Sequence, residues 1–317
     1  MKFYFYLIKY FLSLIIEFTY LIIIKERKKS FIYNNIGLKI CYFIIIFFFT
    51  NIVFLKKCTF AQENNSAFDN KIITIEAPHL IEDTNSQKDS VINRPIGTAF
   101  ILGMSSYFKN KRFLVTAKHV IDEIINTYDS DLILRIPYKD SVNKSIRFSC
   151  DLNSLSPQDI LYPKDSCYDL VVIEFSNLSG VLLENTSINM ENLDYGAFPI
   201  STLKNSSDTL QIGNFILLAG YPRGLSGTFR NYLIYRFGII STLITDKFED
   251  LCNRHFLINT ESSGGDSGSP VFSMSGFFNS TEKIIGVLSG SYFTGLSVVE
   301  PIEVVKEMID EYLSKIK

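Results

Sequence analysis

Gly264-Gly265-Asp266-Ser267-Gly268-Ser269-Pro270 is the stretch whose reading decides the fold. It sets a serine hydroxyl on a glycine-rich turn. A hydroxyl is a weak nucleophile until a base takes its proton, and the base needs a third group to fix its tautomer. The oxyanion that follows needs preorganised donors. Gly264, Gly265 and Gly268 can adopt positive φ, which lets consecutive amides converge. The N–H groups of Gly265 and Ser267 are therefore the expected oxyanion donors.

Upstream, Val115-Thr116-Ala117-Lys118-His119-Val120 offers the base. The apolar run Phe113–Ala117 predicts a strand that holds His119 at a strand-to-helix corner. The chain has 3 histidines. His79 precedes the β-rich region and no motif surrounds His255. A lone histidine in a β protein is more often structural, but its flank and the serine turn single out His119 as the base. For the third group there are two aspartates, Asp165 and Asp169. Asp169 is favoured because the apolar run Leu170–Ile173 starts immediately after it. Either aspartate can also be a turn residue or a cap. No histidine follows Ser267, and this excludes the serine–acid–histidine order of the α/β-hydrolases. The order here is His119, Asp169, Ser267.

Around these residues the chain reads as short β-type runs between turn residues, at 97–102, 113–117, 132–136, 170–175, 214–219, 232–236, 284–288 and 296–299. Helical spacing is scarce until residues 301–316, where apolar groups follow an N-terminal proline. Many short strands and one closing helix predict an all-β barrel architecture. Residues 62–95 are polar and read as a tether plus one strand at Ile72–Ile75.

The first 61 residues differ from the rest. Residues 3–24 are almost all apolar, a basic patch follows at Lys25, Arg27, Lys28 and Lys29, and residues 40–55 carry no charge. A spanning helix wants about 20 apolar residues, and a signal-peptide core about 7–15. Two readings survive. Both stretches span a membrane, with the basic loop cytoplasmic; or residues 38–61 are a cleavable signal ending at Thr59-Phe60-Ala61, from a start codon near Leu38. Both place residues 62–317 outside the cytoplasm, anchored to a membrane or released. Without the leader, 22 of the 31 basic and 31 of the 33 acidic residues remain, a net charge of −9. That balance repels phosphate backbones, so nucleic acid is not an expected partner. Cys150, Cys167 and Cys252 lie beyond the leader. Their odd number rules out complete pairing, and Cys150–Cys167 is a possible short loop closure in an oxidising compartment. No Cys/His cluster has metal-ligand spacing, so neither a metal nor a cofactor is expected.

Three segments resemble the stations of a first barrel: Gly97-Thr98-Ala99-Phe100, Val115 to Val120, and Tyr168 to Ile173. Three more resemble those of a second: Gly220-Tyr221-Pro222-Arg223-Gly224, Phe237-Gly238-Ile239-Ile240-Ser241, and Gly264 to Phe272. Over about residues 90–314 the chain resembles the trypsin-like serine peptidases, bacterial type, including the HtrA-type and glutamyl endopeptidase groups. The resemblance implies two antiparallel six-stranded barrels of the chymotrypsin type with the cleft between them. It implies His119 and Asp169 from the first barrel, Ser267 from the second, and a closing helix. The expected organisation is a leader at 1–61, a polar tether at 62–89 and a peptidase domain at 90–317. Within it, barrel one covers about 90–190, barrel two about 191–300 and the helix 301–316.

The chain also departs from its relatives. Asp266 stands where many bacterial members carry asparagine, and no activation sequence accompanies it. Only 50 residues follow Ser267, too few for the added peptide-binding domain of the HtrA type. Ile285-Gly286-Val287-Leu288 lacks the histidine of glutamyl endopeptidases. Glu261, six residues before Ser267, sits where trypsins carry the aspartate of the specificity pocket. It is read either as a determinant for Lys or Arg at the cleaved position or as an exposed loop carboxylate. Ser289-Gly290-Ser291 are expected to form the edge strand that pairs with an extended substrate. The expected activity is a serine endopeptidase acting on proteins or peptides. The alternatives are a silent scaffold of the same fold or an esterase.

Overall fold

The computed structural model describes residues 68, 70–81, 90–104, 111–138, 141–174, 176, 181–182, 195–222, 232–245, 251–274, 282–293 and 295–316. These belong to one compact unit, Ser66–Lys317. The apolar leader, its proposed cleavage site and residues 223–224 lie outside them. No helix among the described residues is long and apolar enough to cross a membrane.

The first half is a nine-stranded sheet. Its strands are β1 (Ile72–Ile81), β2 (Ser90–Gly103), β3 (Arg112–Thr116), β4 (Asp131–Tyr138), β5 (Ser141–Asp151), β6 (Ile160–Leu161), β7 (Val171–Glu174), β8 (Val181–Leu182) and β9 (Phe198–Pro199). They run β6-β7-β3-β2-β1-β4-β5-β8, with β9 paired to β2. The second half is a closed six-stranded barrel, β10-β11-β12-β15-β14-β13. Its members are β10 (Phe215–Gly220), β11 (Ile234–Leu243), β12 (Phe256–Asn259), β13 (Pro270–Ser273), β14 (Lys283–Phe293) and β15 (Leu296–Pro301). The architecture is chymotrypsin-like, all-β with two α-helices among the described residues, α1 (Lys118–Thr127) and α2 (Ile302–Lys315). The first half is not closed into a six-stranded ring by the pairings among the described residues, whereas the second is.

β1 is longer than the four residues expected. It pairs with β2 from Ile72↔Phe100 to Ile81↔Ser90 and with β4 at Thr74–Glu76, so part of the stretch read as tether is a central strand. Its apolar residues Ile73, Ile75 and Ala77 alternate into the sheet's own core, with Ile101, Leu114, Leu134, Phe148 and Val171. The second barrel has a separate filling of Ile216, Leu218, Ile240, Phe256, Ile258 and Val271. A third cluster joins the halves, with Phe100, Phe113, Leu217 and Phe272 packed together with α2.

α2 fulfils the sequence expectation. Ile302, Val305, Ile309, Tyr312 and Leu313 are buried at helical spacing. Tyr312 meets Phe113 of β3 edge to face, with centroids 5.9 Å apart. The last helix thus returns from the second half to the first and packs in the cluster that joins them.

Candidate active site

β3 ends at Thr116, and α1 starts two residues later at Lys118. Ala117, the residue before α1, offers no side-chain cap, so the first amides of the helix need another acceptor. Asp169 supplies it. Its carbonyl accepts from the Lys118 N–H at 3.2 Å, and its Oδ1 accepts from the His119 N–H at 2.8 Å. An anionic acceptor is favoured at a helix N-terminus. Its other oxygen, Oδ2, lies 2.5 Å from His119 Nδ1. One carboxylate therefore holds both the backbone and the ring of His119. With Nδ1 engaged, Nε2 remains for a second partner. The bond to Asp169 raises the His119 pKa above the ordinary imidazole value; burial opposes this, and the Asp169, Glu123 and Asp122 charges add to it.

Asp165, the alternative acid, is exposed and accepts from the Cys167 N–H at 3.1 Å within its own turn. It is a local cap. Of the other two histidines, His79 is exposed in β1. His255 is buried against Glu300, with Nε2 2.7 Å from its carboxylate.

The Ser267 turn is tied to the first half by its backbone. The Ser267 carbonyl accepts from the Thr98 N–H at 2.8 Å, and the Gly265 carbonyl from the Thr98 hydroxyl at 2.8 Å. The Thr116 hydroxyl donates to the Thr98 carbonyl at 2.7 Å, completing a link that ends three residues before His119. Gly268, at φ 89°, presses on Thr98 and Thr116 so closely that a Cβ would overlap both. Gly265 also has positive φ, at 93°; Gly264 is not among the positive-φ glycines, contrary to expectation. The turn is made by two glycines, not three.

Hydrogen bonding within the turn is selective. The Asp266, Gly268 and Ser269 amides donate to Ser263, Leu288 and Asp266 carbonyls. The amides of Gly265 and Ser267 donate to no acceptor among the described residues. Gly265 is nevertheless buried. An N–H with no acceptor in the fold can donate to a ligand's anionic oxygen.

Asp266, fully buried, forms a bidentate pair with Arg236 of β11 at 2.7 and 3.1 Å. It also accepts from the Ser263 N–H at 2.8 Å. The fork satisfies a charge that would otherwise be isolated beneath the Ser267 turn. Sequence reading noted Asp266 but missed Arg236, because the pairing depends on strand register across the barrel.

The Ser267 hydroxyl donates to the Ser289 carbonyl at 3.3 Å; no hydrogen bond joins it to His119. The structure thus pairs His119 with Asp169 and sets the Ser267 turn against the same strand end, with the hydroxyl turned toward β14. Beyond Val287, β14 has no strand partner on the β13 side among the described pairings, while β15 lines its other side. Of the three residues on this stretch, Ser289 is buried, and a Cβ on Gly290 would meet nothing. The Ser291 hydroxyl bonds that of Ser262 at 2.7 Å. Glu261 is exposed, and its carbonyl accepts from Arg236 at 3.2 Å. Its exposure matches the loop-carboxylate reading.

The cysteines require a correction. Cys167 bonds to Cys252, 85 residues away, with Cα atoms 6.2 Å apart, not to Cys150. Cys150 is a free buried thiol. The alternation of β5 turns it into the sheet's core, where burial and the Asp151 and Asp131 charges push it up to about 11. Cys167 instead packs on the cluster between the halves, where Cys252 also lies. Asp165, Cys167 and Cys252 lie within 4.8 Å of one another, but two sulfurs joined to each other offer no thiolates for a metal.

The family model for the trypsin-like peptidase domain matches residues 97–278. Among solved structures the chain is similar to the apo form of the MamO protease domain from Magnetospirillum magneticum. That match has a TM-score of 0.44 and 11% identity, and covers 75% of this chain and 95% of that one. No curated protein matches. The matched span covers more than half of the 317 residues and contains His119, Asp169 and Ser267, so the chain belongs to the trypsin-like peptidase domain family.

Proposed function

We propose that the chain is a serine endopeptidase that cleaves proteins or peptides through an acyl-enzyme, outside the cytoplasm. The observation that carries this reading is the double attachment of Asp169 to His119, through the ring and through the backbone amide. It fixes the imidazole with Nε2 free to act as base. An extended substrate adds to the edge at Ser289–Ser291. The next step requires the Ser267 hydroxyl to exchange the Ser289 carbonyl for His119 Nε2. The imidazole takes the proton as Oγ attacks the carbonyl carbon, and the new oxyanion rests on the Gly265 and Ser267 N–H groups. His119 then gives the proton to the leaving amine, and water repeats the sequence to free Ser267.

Assay of the full chain on an unfolded protein substrate tests this. Ser267→Ala should cut kcat by about a millionfold. Equal hydrolysis by both proteins, or none by folded wild type, contradicts it. The latter would favour a silent scaffold, the reading that the Ser267–Ser289 bond supports.

The location rests on the apolar leader and on the Cys167–Cys252 bond, since disulfides persist in oxidising compartments. Cells lysed into an alkylating agent should yield Cys167 and Cys252 unmodified until a reductant is added. Alkylation of both without reductant would place the domain in the cytoplasm.

A further inference from the structure

We infer that the segment Cys252–His255 of the second barrel positions Asp169, and that the Cys167–Cys252 bond makes this positioning depend on redox conditions. The inference rests on the proposed roles of His119 and Asp169. The two residues before Asp169 are both held by this segment. Cys167 is bonded to Cys252. Tyr168, almost fully buried, donates its hydroxyl to the Asn253 carbonyl at 2.9 Å and accepts from Arg254 Nε at 3.3 Å. Its ring meets His255 edge to face, with centroids 5.3 Å apart, and Arg254 lies 5.6 Å from its centroid.

The segment is itself fixed. His255 Nδ1 accepts from the Cys252 N–H at 2.9 Å, which puts the ring proton on Nε2, facing Glu300 at 2.7 Å. Arg254 pairs with Glu307 of α2 at 2.8 Å. Arg254 also adopts φ 75°, a left-handed conformation that a non-glycine residue keeps only when its surroundings over-determine it. The Tyr168 hydroxyl and the Glu307 carboxylate meet that strained residue, and the disulfide holds the segment two residues before it.

Asp169 is thus held from both sides, by the α1 amides ahead and by the second barrel behind. Its hydrogen bonds to His119 are short and directional, so a small rotation of the loop weakens both. A dithiol reductant would release one side. It delivers two electrons and two protons, the S–S bond breaks into two thiols, and the dithiol closes into its own disulfide. Tyr168 and Arg254 are positioning residues, acting through Asp169.

The test titrates the His119 imidazole by NMR in oxidised and dithiol-reduced protein. A Cys150→Ala background keeps the thiol count unambiguous, and His119→Gln assigns the signal. On reduction the His119 pKa should fall by about one unit, toward its ordinary value. kcat should fall about tenfold at constant KM and return on reoxidation. An identical His119 pKa in both states, with free Cys167 and Cys252 thiols shown by mass, overturns the inference. Should reduction unfold the chain, Tyr168→Phe and Arg254→Lys with the disulfide intact carry the test. Both should lower the His119 pKa, and two unchanged values overturn it. The titration needs no turnover, so a chain that never cleaves peptides would defeat the peptidase reading while still reporting on the positioning of Asp169.

Discussion

His119 and Asp169 share an anion–imidazole bond that raises the histidine pKa. A base must be neutral to accept a proton, so kcat/KM should rise with pH through a value above the ordinary imidazole value of about 6.5. Stability has the opposite sign. A raised folded pKa contributes stability that is fully present below the unfolded value and is lost as pH rises through the folded one. Urea midpoints of wild type and His119→Gln should therefore converge on going from mildly acidic to alkaline pH. A gap that widens would contradict the pairing. Arg236 and Asp266 form a second charged pair, at the Ser267 turn. Arg236→Met should cost about 3–5 kcal/mol by leaving a buried charge unpaired, and adding Asp266→Asn should restore most of it. Urea denaturation checks both. His119 and Ser267 were legible because each sits in a contiguous motif. Arg236, Tyr168 and Arg254 were not, because their partners lie 30, 85 and 53 residues away and meet only once strands are in register.

The strands with strong apolar runs, such as β3, β7 and β10, lie where the sequence placed them, within a residue or two. β5 was missed because Ser141-Val142-Asn143-Lys144-Ser145 reads as a polar loop. It becomes a strand because β4 pairs along its length, and tertiary pairing overrides weak propensity. β13 escaped notice because it follows the serine turn directly and starts with proline. α1 was anticipated only as a corner; at ten residues it is too short to announce itself by periodicity, and its Val120, Ile121 and Ile124 face the core. α2 was legible from its spacing. Ile309 is buried between the halves, and Ile309→Ala should cost about 2–5 kcal/mol in urea unfolding. A cost below about 1 kcal/mol would mean that the helix does not join the barrels as described.

Two halves with separate fillings meet along a third apolar cluster, and the candidate site lies on their seam. The first half supplies His119 and Asp169, and the second supplies the serine turn and the edge strand. Thr98 and Thr116 tie the turn across that seam, and Cys167–Cys252 ties the acid loop back. The division into two β halves was legible from the order of motifs; the closed six-stranded ring expected of the first half is instead a nine-stranded sheet among the described residues. The disulfide partner was not, since three cysteines allow three pairings and only the fold selects one. The central claim is that this seam activates Ser267. Its most direct test is exposure of the folded full chain to a fluorophosphonate probe, with the adduct located by peptide mass spectrometry. Stoichiometric modification at Ser267 that disappears in His119→Ala is the expected result. Absence of labelling in the folded wild type, or labelling at Ser267 that survives loss of His119, would contradict it.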